Sequence, residues 1–299
     1  MVSADREPIQ IAACADPASD ENLLRAAARL SVDLNIAFLE KPVKKGVDAL
    51  LVATPGRLEL RMIGGDPITR GGRALCVDWS KLDVTSAQGK RIKQPIAKAL
   101  GIKKTTDEPL VVIDATAGWG EDSWLMAGLG CRVLSVERNK ILATLLRDGL
   151  LRAAAETPEV AMRITLVQTN AIALLRRIAY QATGHAADTS EIALDDLPAN
   201  LQAFLHPDVV FLDPMFPPRK KGAEGKPMKV VRQLVGDDED SSQLLEAALR
   251  VAKKRVIVKR PLHGEPLGER EPDVRHEGKS MRYDVYVTRH EGKAEENVH

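Results

Sequence analysis

Five short apolar runs recur through the later two thirds of this 299-residue chain: Leu110 to Ile113, Arg132 to Val136, Ile164 to Val167, Val209 to Leu212 and Val256 to Val258. Most are too uniformly apolar for strands with one wet face, so they read as parallel strands covered on both sides. Helical patterns separate them, at Asp122 to Leu129, Lys140 to Ala155, Ala171 to Tyr180 and Ser241 to Ala252. Strand alternating with helix predicts an α/β architecture, a parallel sheet with helices on both faces. Aromatic residues make up only 3% of the chain, so its core must be built from Val, Leu, Ile and Ala. A terminal antiparallel hairpin is expected from Asp273 to His276 and Tyr283 to Val287, around Gly278.

The first hundred residues have a different texture. Ile9 to Cys14, Leu34 to Leu39, Ala49 to Ala53 and Leu58 to Ile63 are strand-like, and Glu21 to Leu30 is helical. Thr54-Pro55-Gly56 supplies turn chemistry between the last two strands. Pro95 opens a short helix that ends near Gly101. The expected division is a small α+β domain over 1–93, a main α/β domain over 94–291 and a frayed tail over 292–299. Gly184 to Asn200 reads as a polar, acidic insertion, a mobile loop with a partial helix.

Charge and cysteine usage narrow the class further. The net charge is +1, so a polyanionic partner must be met by local clusters rather than by the whole surface. Cys14, Cys76 and Cys131 lie far apart, which points to small buried side chains in a reducing compartment rather than to disulfides or metal ligands. No metal site is expected. No apolar run approaches the ~20 residues of a membrane helix, and the N-terminus is unlike a signal peptide. A cytoplasmic protein without membrane contact is the expectation.

The loop after the first parallel strand, Asp114-Ala115-Thr116-Ala117-Gly118-Trp119-Gly120, is the most informative segment. Glycines there permit a sharp turn and close backbone approach to a ligand. It lacks the third glycine of a dinucleotide fingerprint and the Gly-Lys-Ser/Thr of a phosphate loop. The second strand ends in Glu137-Arg138, roughly 20 residues on, where nucleotide-binding folds place an acid for ribose hydroxyls. Asn170 suits either the adenine edge of an adenosyl ligand or the cap of the next helix. Asp122 suits either a bond to the ligand or the cap of its own helix.

The fourth strand runs into Asp213-Pro214-Met215-Phe216-Pro217-Pro218. An exocyclic amine on a base donates its lone pair into the ring and is a poor nucleophile. A carboxylate (Asp213) and a carbonyl (Pro214) accepting its two hydrogens would localise that pair for attack. Phe216 would stack on an extruded base, worth ~1–3 kcal/mol, and proline would rigidify the turn.

The runs VVIDATAGWGEDSWLMAGLGCRVLSVERN, VVFLDPMFPPRKK, VVRQLVG and KRVIVKRP resemble the RsmJ family of ribosomal RNA methyltransferases. The similarity extends from about Lys98 to Val287, with a weaker match before it. The resemblance implies a Rossmann-like, seven-stranded class I S-adenosylmethionine (SAM)-dependent methyltransferase with a small N-terminal α+β domain. It implies SAM as cofactor, and as substrate the N2 amine of a guanine in the loop of the last helix of 16S rRNA, naked or in the small ribosomal subunit. By position it implies cofactor contacts at Glu121, Asp122, Glu137, Arg138, Asn170, Ala171 and Asp213, besides Asp114, Gly118 and Gly120 of the turn. The chain departs from the family at Glu121, where a basic residue is usual, and at Asn170-Ala171, where small hydroxyl residues are usual.

Three basic clusters are candidate RNA surfaces: Lys90 to Lys104, Arg219 to Arg232 and Arg250 to Arg260. The second directly follows the proposed base pocket and is the one expected to meet phosphates. Two rival readings remain. One is an N-methyltransferase of adenine or cytosine, because the acid–proline–aromatic motif serves all three amines. The other is a non-catalytic RNA-binding assembly factor with a vestigial methyltransferase fold.

Overall fold

The structure, a computed structural model, describes residues 9–64, 70, 73–86, 94–102, 108–183, 199–215, 226–235, 240–268 and 270–288. Its first elements in chain order are β1 (Ile11–Ala15), α1 (Glu21–Leu34), β2 (Ala37–Phe38), β3 (Ala49–Ala53), β4 (Leu58–Met62) and α2 (Pro95–Leu100). Next come β5 (Val111–Asp114), α3 (Glu121–Gly128), β6 (Arg132–Glu137), α4 (Lys140–Glu156), α5 (Pro158–Ala161), β7 (Ile164–Gln168) and α6 (Ala171–Thr183). A 3-10 helix (Ala199–Phe204) precedes β8 (Val209–Leu212), α7 (Lys226–Val235), α8 (Ser241–Val251), β9 (Arg255–Pro261), β10 (Val274–Glu277) and β11 (Met281–Val287).

The chain divides into two compact units. The first comprises Met1–Asp78, Asn139–Glu156 and Met215–Asp237. Its sheet has the order β2-β1-β3-β4, with β1 parallel to β2 and β3, and β3 antiparallel to β4. The turn expected at Thr54 closes that hairpin, the Thr54 hydroxyl donating to the Arg57 carbonyl at 2.7 Å. Asp20 caps α1 by accepting from the Asn22 and Leu23 N–H groups, and Asn35 ends it in the left-handed region. Asn139 caps α4 in the same way, while its amide donates to the Leu234 carbonyl at the end of α7. Gly149 of α4 passes so close to Val77 that a Cβ there would fall 2.3 Å from the valine Cγ1. Only glycine permits that approach.

The second unit comprises Trp79–Arg138, Thr157–Pro214 and Asp238–His299 and holds the seven-stranded sheet, of order β10-β11-β9-β8-β5-β6-β7. The strands from β9 to β7 in that order are mutually parallel, β11 is antiparallel to β9, and β10 is antiparallel to β11. This is the class I, Rossmann-like methyltransferase topology. From β5 the chain steps outward through β6 and β7, then returns to lay β8 against the other edge of β5. Strand order reverses there, and open α/β sheets bind ligands at the carboxyl ends of strands beside such a reversal. The five apolar runs fall on β5, β6, β7, β8 and β9, and β8 is buried at every position. The terminal hairpin is β10 and β11.

Two elements were not anticipated, α5 and α7, and the 3-10 helix overlaps only the last two residues of the insertion expected to hold a partial helix, whose residues 184–198 lie outside the described ones. Both α5 and the 3-10 helix are too short to show a helical period. In α7, the apolar residues Val230 and Val231 are buried, but they sit within a basic run that reads as surface.

Arg282 and Asp284 form a buried, two-bond pair on β11, at 2.8 and 3.0 Å, and the aspartate is fully buried. Removing Arg282 leaves the buried aspartate with only the longer contact to the partly exposed Arg275, at 3.6 Å. Arg282→Met is expected to lower the urea-unfolding free energy by ~3–5 kcal/mol. Arg282→Met/Asp284→Leu, which removes both charges, is expected to recover most of that loss in the same assay.

Candidate functional site

The turn between β5 and α3 is held from below by a buried polar network. The Asp114 carboxyl accepts from the Ser123 hydroxyl at 2.5 Å and from the Thr116 N–H at 3.3 Å, and Ser135 donates to Ser123 at 2.7 Å. Burial pushes the Asp114 carboxyl up to about 7, and the Ser123 hydrogen bond opposes only part of that rise. Above it, Gly118 and Gly120 both lie in the left-handed region, with φ of 54° and 74°. A Cβ at Gly118 would meet nothing nearer than the Thr116 carbonyl at 3.9 Å. It is the φ, therefore, and not crowding within the protein, that requires glycine.

Glu137, at the carboxyl end of β6, is 5% exposed, and its Oε2 accepts the Gly118 N–H at 2.9 Å. The acid and the glycine turn, 19 residues apart in sequence, thus form one structural unit. Trp79 stacks on Trp124 with ring centroids 4.9 Å apart and donates its indole N–H to the Trp119 carbonyl at 3.0 Å. An aromatic pair so placed braces the turn through its own backbone.

At the end of β8 the Asp213 N–H donates to the Thr116 hydroxyl at 2.6 Å. The loop after the fourth parallel strand is thereby joined to the glycine turn. The Asp213 carboxylate lies 3.0 Å from the Lys259 ammonium on β9, and the same ammonium lies 2.6 Å from Asp122 in the first turn of α3. Burial pulls Lys259 down, but the Asp213 and Asp122 charges outweigh it and hold the group above the ordinary lysine range. Tyr283, paired with Lys259 across β11 and β9, sets its ring 6.3 Å from that of Phe211. Burial, aided by the Asp122 charge, pushes its phenol up to about 12, so it stays neutral at working pH.

The remaining candidates lie as follows. Pro214 is buried beside Asp213, and Phe216 lies outside the described residues. Asn170 accepts from the Ala173 N–H at 3.1 Å, so it caps α6, and Ala171 begins that helix. Arg138 reaches Asp240 at 3.5 Å, and Glu121 is exposed at the start of α3. Gly120, not Asp122, occupies the N-cap position of α3. Much of the third basic cluster turns inward: Lys259 meets the two carboxylates, Arg255 donates to the Ala99 carbonyl and Arg260 is buried. Of the first two clusters, Lys90, Arg91, Lys93, Lys103, Lys104 and 219–221 lie outside the described residues. Lys259, Tyr283 and Thr116 were missed as site residues. Lys259 stands one residue past the apolar run of β9, and only the sheet order brings it beside Asp213.

Residues 39–288 match the family of SAM-dependent methyltransferases. Ribosomal RNA small subunit methyltransferase J of Thioalkalivibrio sulfidiphilus is 39% identical over 90% of this chain and 96% of its own. Its counterpart in Nitrosococcus oceani is 37% identical over 89% and 94%. The chain belongs to this methyltransferase J family. A SAM-dependent methyltransferase of Neisseria gonorrhoeae has a solved structure that superposes with a TM-score of 0.62, at 32% identity over 93% of this chain and 96% of that one.

S-adenosylmethionine is the donor of this methyltransferase, and its residues fit that ligand. Gly118 has open space where a Cβ would stand, and a carboxylate such as that of Glu137 has the chemistry to accept from two vicinal hydroxyls. Among the described residues, no helix is long and apolar enough to cross a membrane, and no group of three His, Cys, Asp or Glu side chains is gathered for a metal ion.

The buried Asp114 carboxyl carries a pH signature. The folded protein holds its proton up to about pH 7, whereas an ordinary aspartate releases it at 3.8. Its contribution to stability is therefore complete below pH 3.8 and is lost as the pH rises through about 7. Asp114→Asn has no proton to lose. Its unfolding free energy relative to the wild type is expected to climb over that range by at most ~4 kcal/mol and then level off, read from urea titrations at stepped pH.

Proposed function

We propose that this chain methylates small-subunit ribosomal RNA, as the names of its relatives describe for them, at the N2 amine of a guanosine in the loop of the 3'-terminal helix of 16S rRNA. The observation that carries the reading is the bond from the Asp213 N–H to the Thr116 hydroxyl. It sets an acceptor carboxylate next to the turn suited to the donor.

In this reading Glu137 accepts the ribose hydroxyls, Gly118 and Gly120 admit the ligand to the backbone, and Asp114 holds the turn from beneath. Glu121, Asp122, Arg138, Asn170 and Ala171 complete the cofactor's surroundings. When bound, the donor supplies a methyl group made electrophilic by a sulfonium. Two carboxylates against one ammonium leave an excess negative charge in the cluster, which favours a cationic ligand. The Asp213 carboxylate and the Pro214 carbonyl accept the two amine hydrogens and turn the lone pair out of conjugation. With Lys259 charged and Tyr283 neutral, only a carboxylate of the cluster can take up the proton that the amine sheds. Phe216 stacks on the extruded base.

The test is methyl incorporation from labelled SAM into small-subunit RNA that lacks the modification, followed by nucleoside analysis. N2-methylguanosine is the expected product. A methylated adenosine or cytidine would replace the guanine assignment, and no incorporation would favour a non-catalytic RNA-binding role. Asp213→Ala is expected to lower kcat by about 10²–10⁴-fold while the protein still binds SAM. Glu137→Ala is expected to raise the SAM Kd by about ten- to a hundred-fold in calorimetry, since hydrogen bonds to a charged group are lost.

A further inference from the structure

Resting on that reading, we propose that Lys259 is the positioning residue that fixes the Asp213 carboxylate for the amine of the substrate. The backbone of Asp213 is anchored by Thr116, and its carboxylate meets the Lys259 ammonium at 3.0 Å. Lys259 is itself held from the other side by Asp122 at 2.6 Å, in the first turn of the helix that follows the glycine loop. The ammonium therefore bridges the cofactor turn and the acceptor carboxylate, so that neither can move without the other.

The strand beneath gives this bridge its rigidity. Lys259 follows Val258, which pairs with Leu212 of β8, and it stands opposite Tyr283 of β11. Its backbone is fixed between two strands, and its side chain is only 20% exposed. The groups that face it are Asp122 from α3, Asp213 from the end of β8 and Tyr283 from β11, with the Asp114 carboxyl of β5 near both aspartates. A lysine kept charged between two carboxylates neither gives nor takes a proton in the working range. What it contributes is a fixed positive charge 3.0 Å from the Asp213 carboxylate, and a charge-assisted bond of that kind limits where the carboxylate oxygens can sit.

A residue that acts through Asp213 has a signature that a merely structural one lacks. Lys259→Met is expected to lower kcat by about a hundred-fold, while KM for the RNA and Kd for SAM change by less than about three-fold. Lys259→Arg, which keeps the charge, is expected to recover at least ten-fold of that loss. In an Asp213→Asn background, Lys259→Met is expected to lower kcat by no more than two-fold further, because the group it positions is already gone. Wild-type kcat in Lys259→Met, a loss confined to KM or SAM binding, or full additivity with Asp213→Asn would each overturn the proposal. Should Lys259→Met not fold by circular dichroism, Lys259→Gln carries the same test, and failure of both to fold assigns Lys259 to stability and also overturns it. A wild-type protein that methylates no RNA sinks the parent reading instead, and this one falls with it.

Discussion

The hydrogen bond from the Asp213 backbone to the Thr116 hydroxyl joins the loops that leave β5 and β8, and the site depends on that junction. It can form because strand order reverses between these two neighbours, which leaves their carboxyl ends adjacent with no crossover between them. Every other group of the cluster is placed relative to it. Glu137 reaches the same turn from β6 through Gly118, and Lys259 reaches Asp213 from β9. Four successive strands of one sheet thus each contribute one element to a single small region. The parallel sheet sets their spacing, and the loops need only make short bonds across it.

Burial sets the electrostatics of that region. Asp114 lies deepest, and its desolvation favours the neutral carboxyl, which suits a group that braces a turn. Lys259 is also largely withdrawn from water, yet it has two carboxylates in direct contact and so keeps its charge. The contrast follows from the partners. A buried carboxyl near other acids loses its ionised form despite the hydroxyl that donates to it, whereas an ammonium set between two carboxylates keeps its own. One buried proton supports the loop, and one buried charge holds the Asp213 carboxylate.

Much of this was legible in the sequence because it is local. The apolar runs of β5 and β8 announce strands covered on both faces, the turn after β5 announces a close approach, and Glu137 falls at the expected distance beyond it. Asp213 was legible because acid, proline and aromatic stand together at the end of a strand. Lys259 was not. In the sequence it is one of several cations that flank an apolar run, and nothing in residue type separates it from Lys253 or Lys254, which are exposed. Its role is created by strand pairing, which places position 259 beside position 213. Thr116 was hidden for a related reason, since a threonine inside a tight turn is ordinary until a second loop arrives to use its hydroxyl. Asn170 carried two readings of equal standing, and the capping bond to Ala173 is the one visible in the geometry.

The most direct measurement is a crystal structure with S-adenosylhomocysteine bound. The account predicts the ribose hydroxyls on the Glu137 carboxylate, the ligand backbone against Gly118 and Gly120, and the sulfur facing the Asp213–Lys259 pair. A ligand seated elsewhere, or seated in the turn with its sulfur directed away from Asp213, would contradict it.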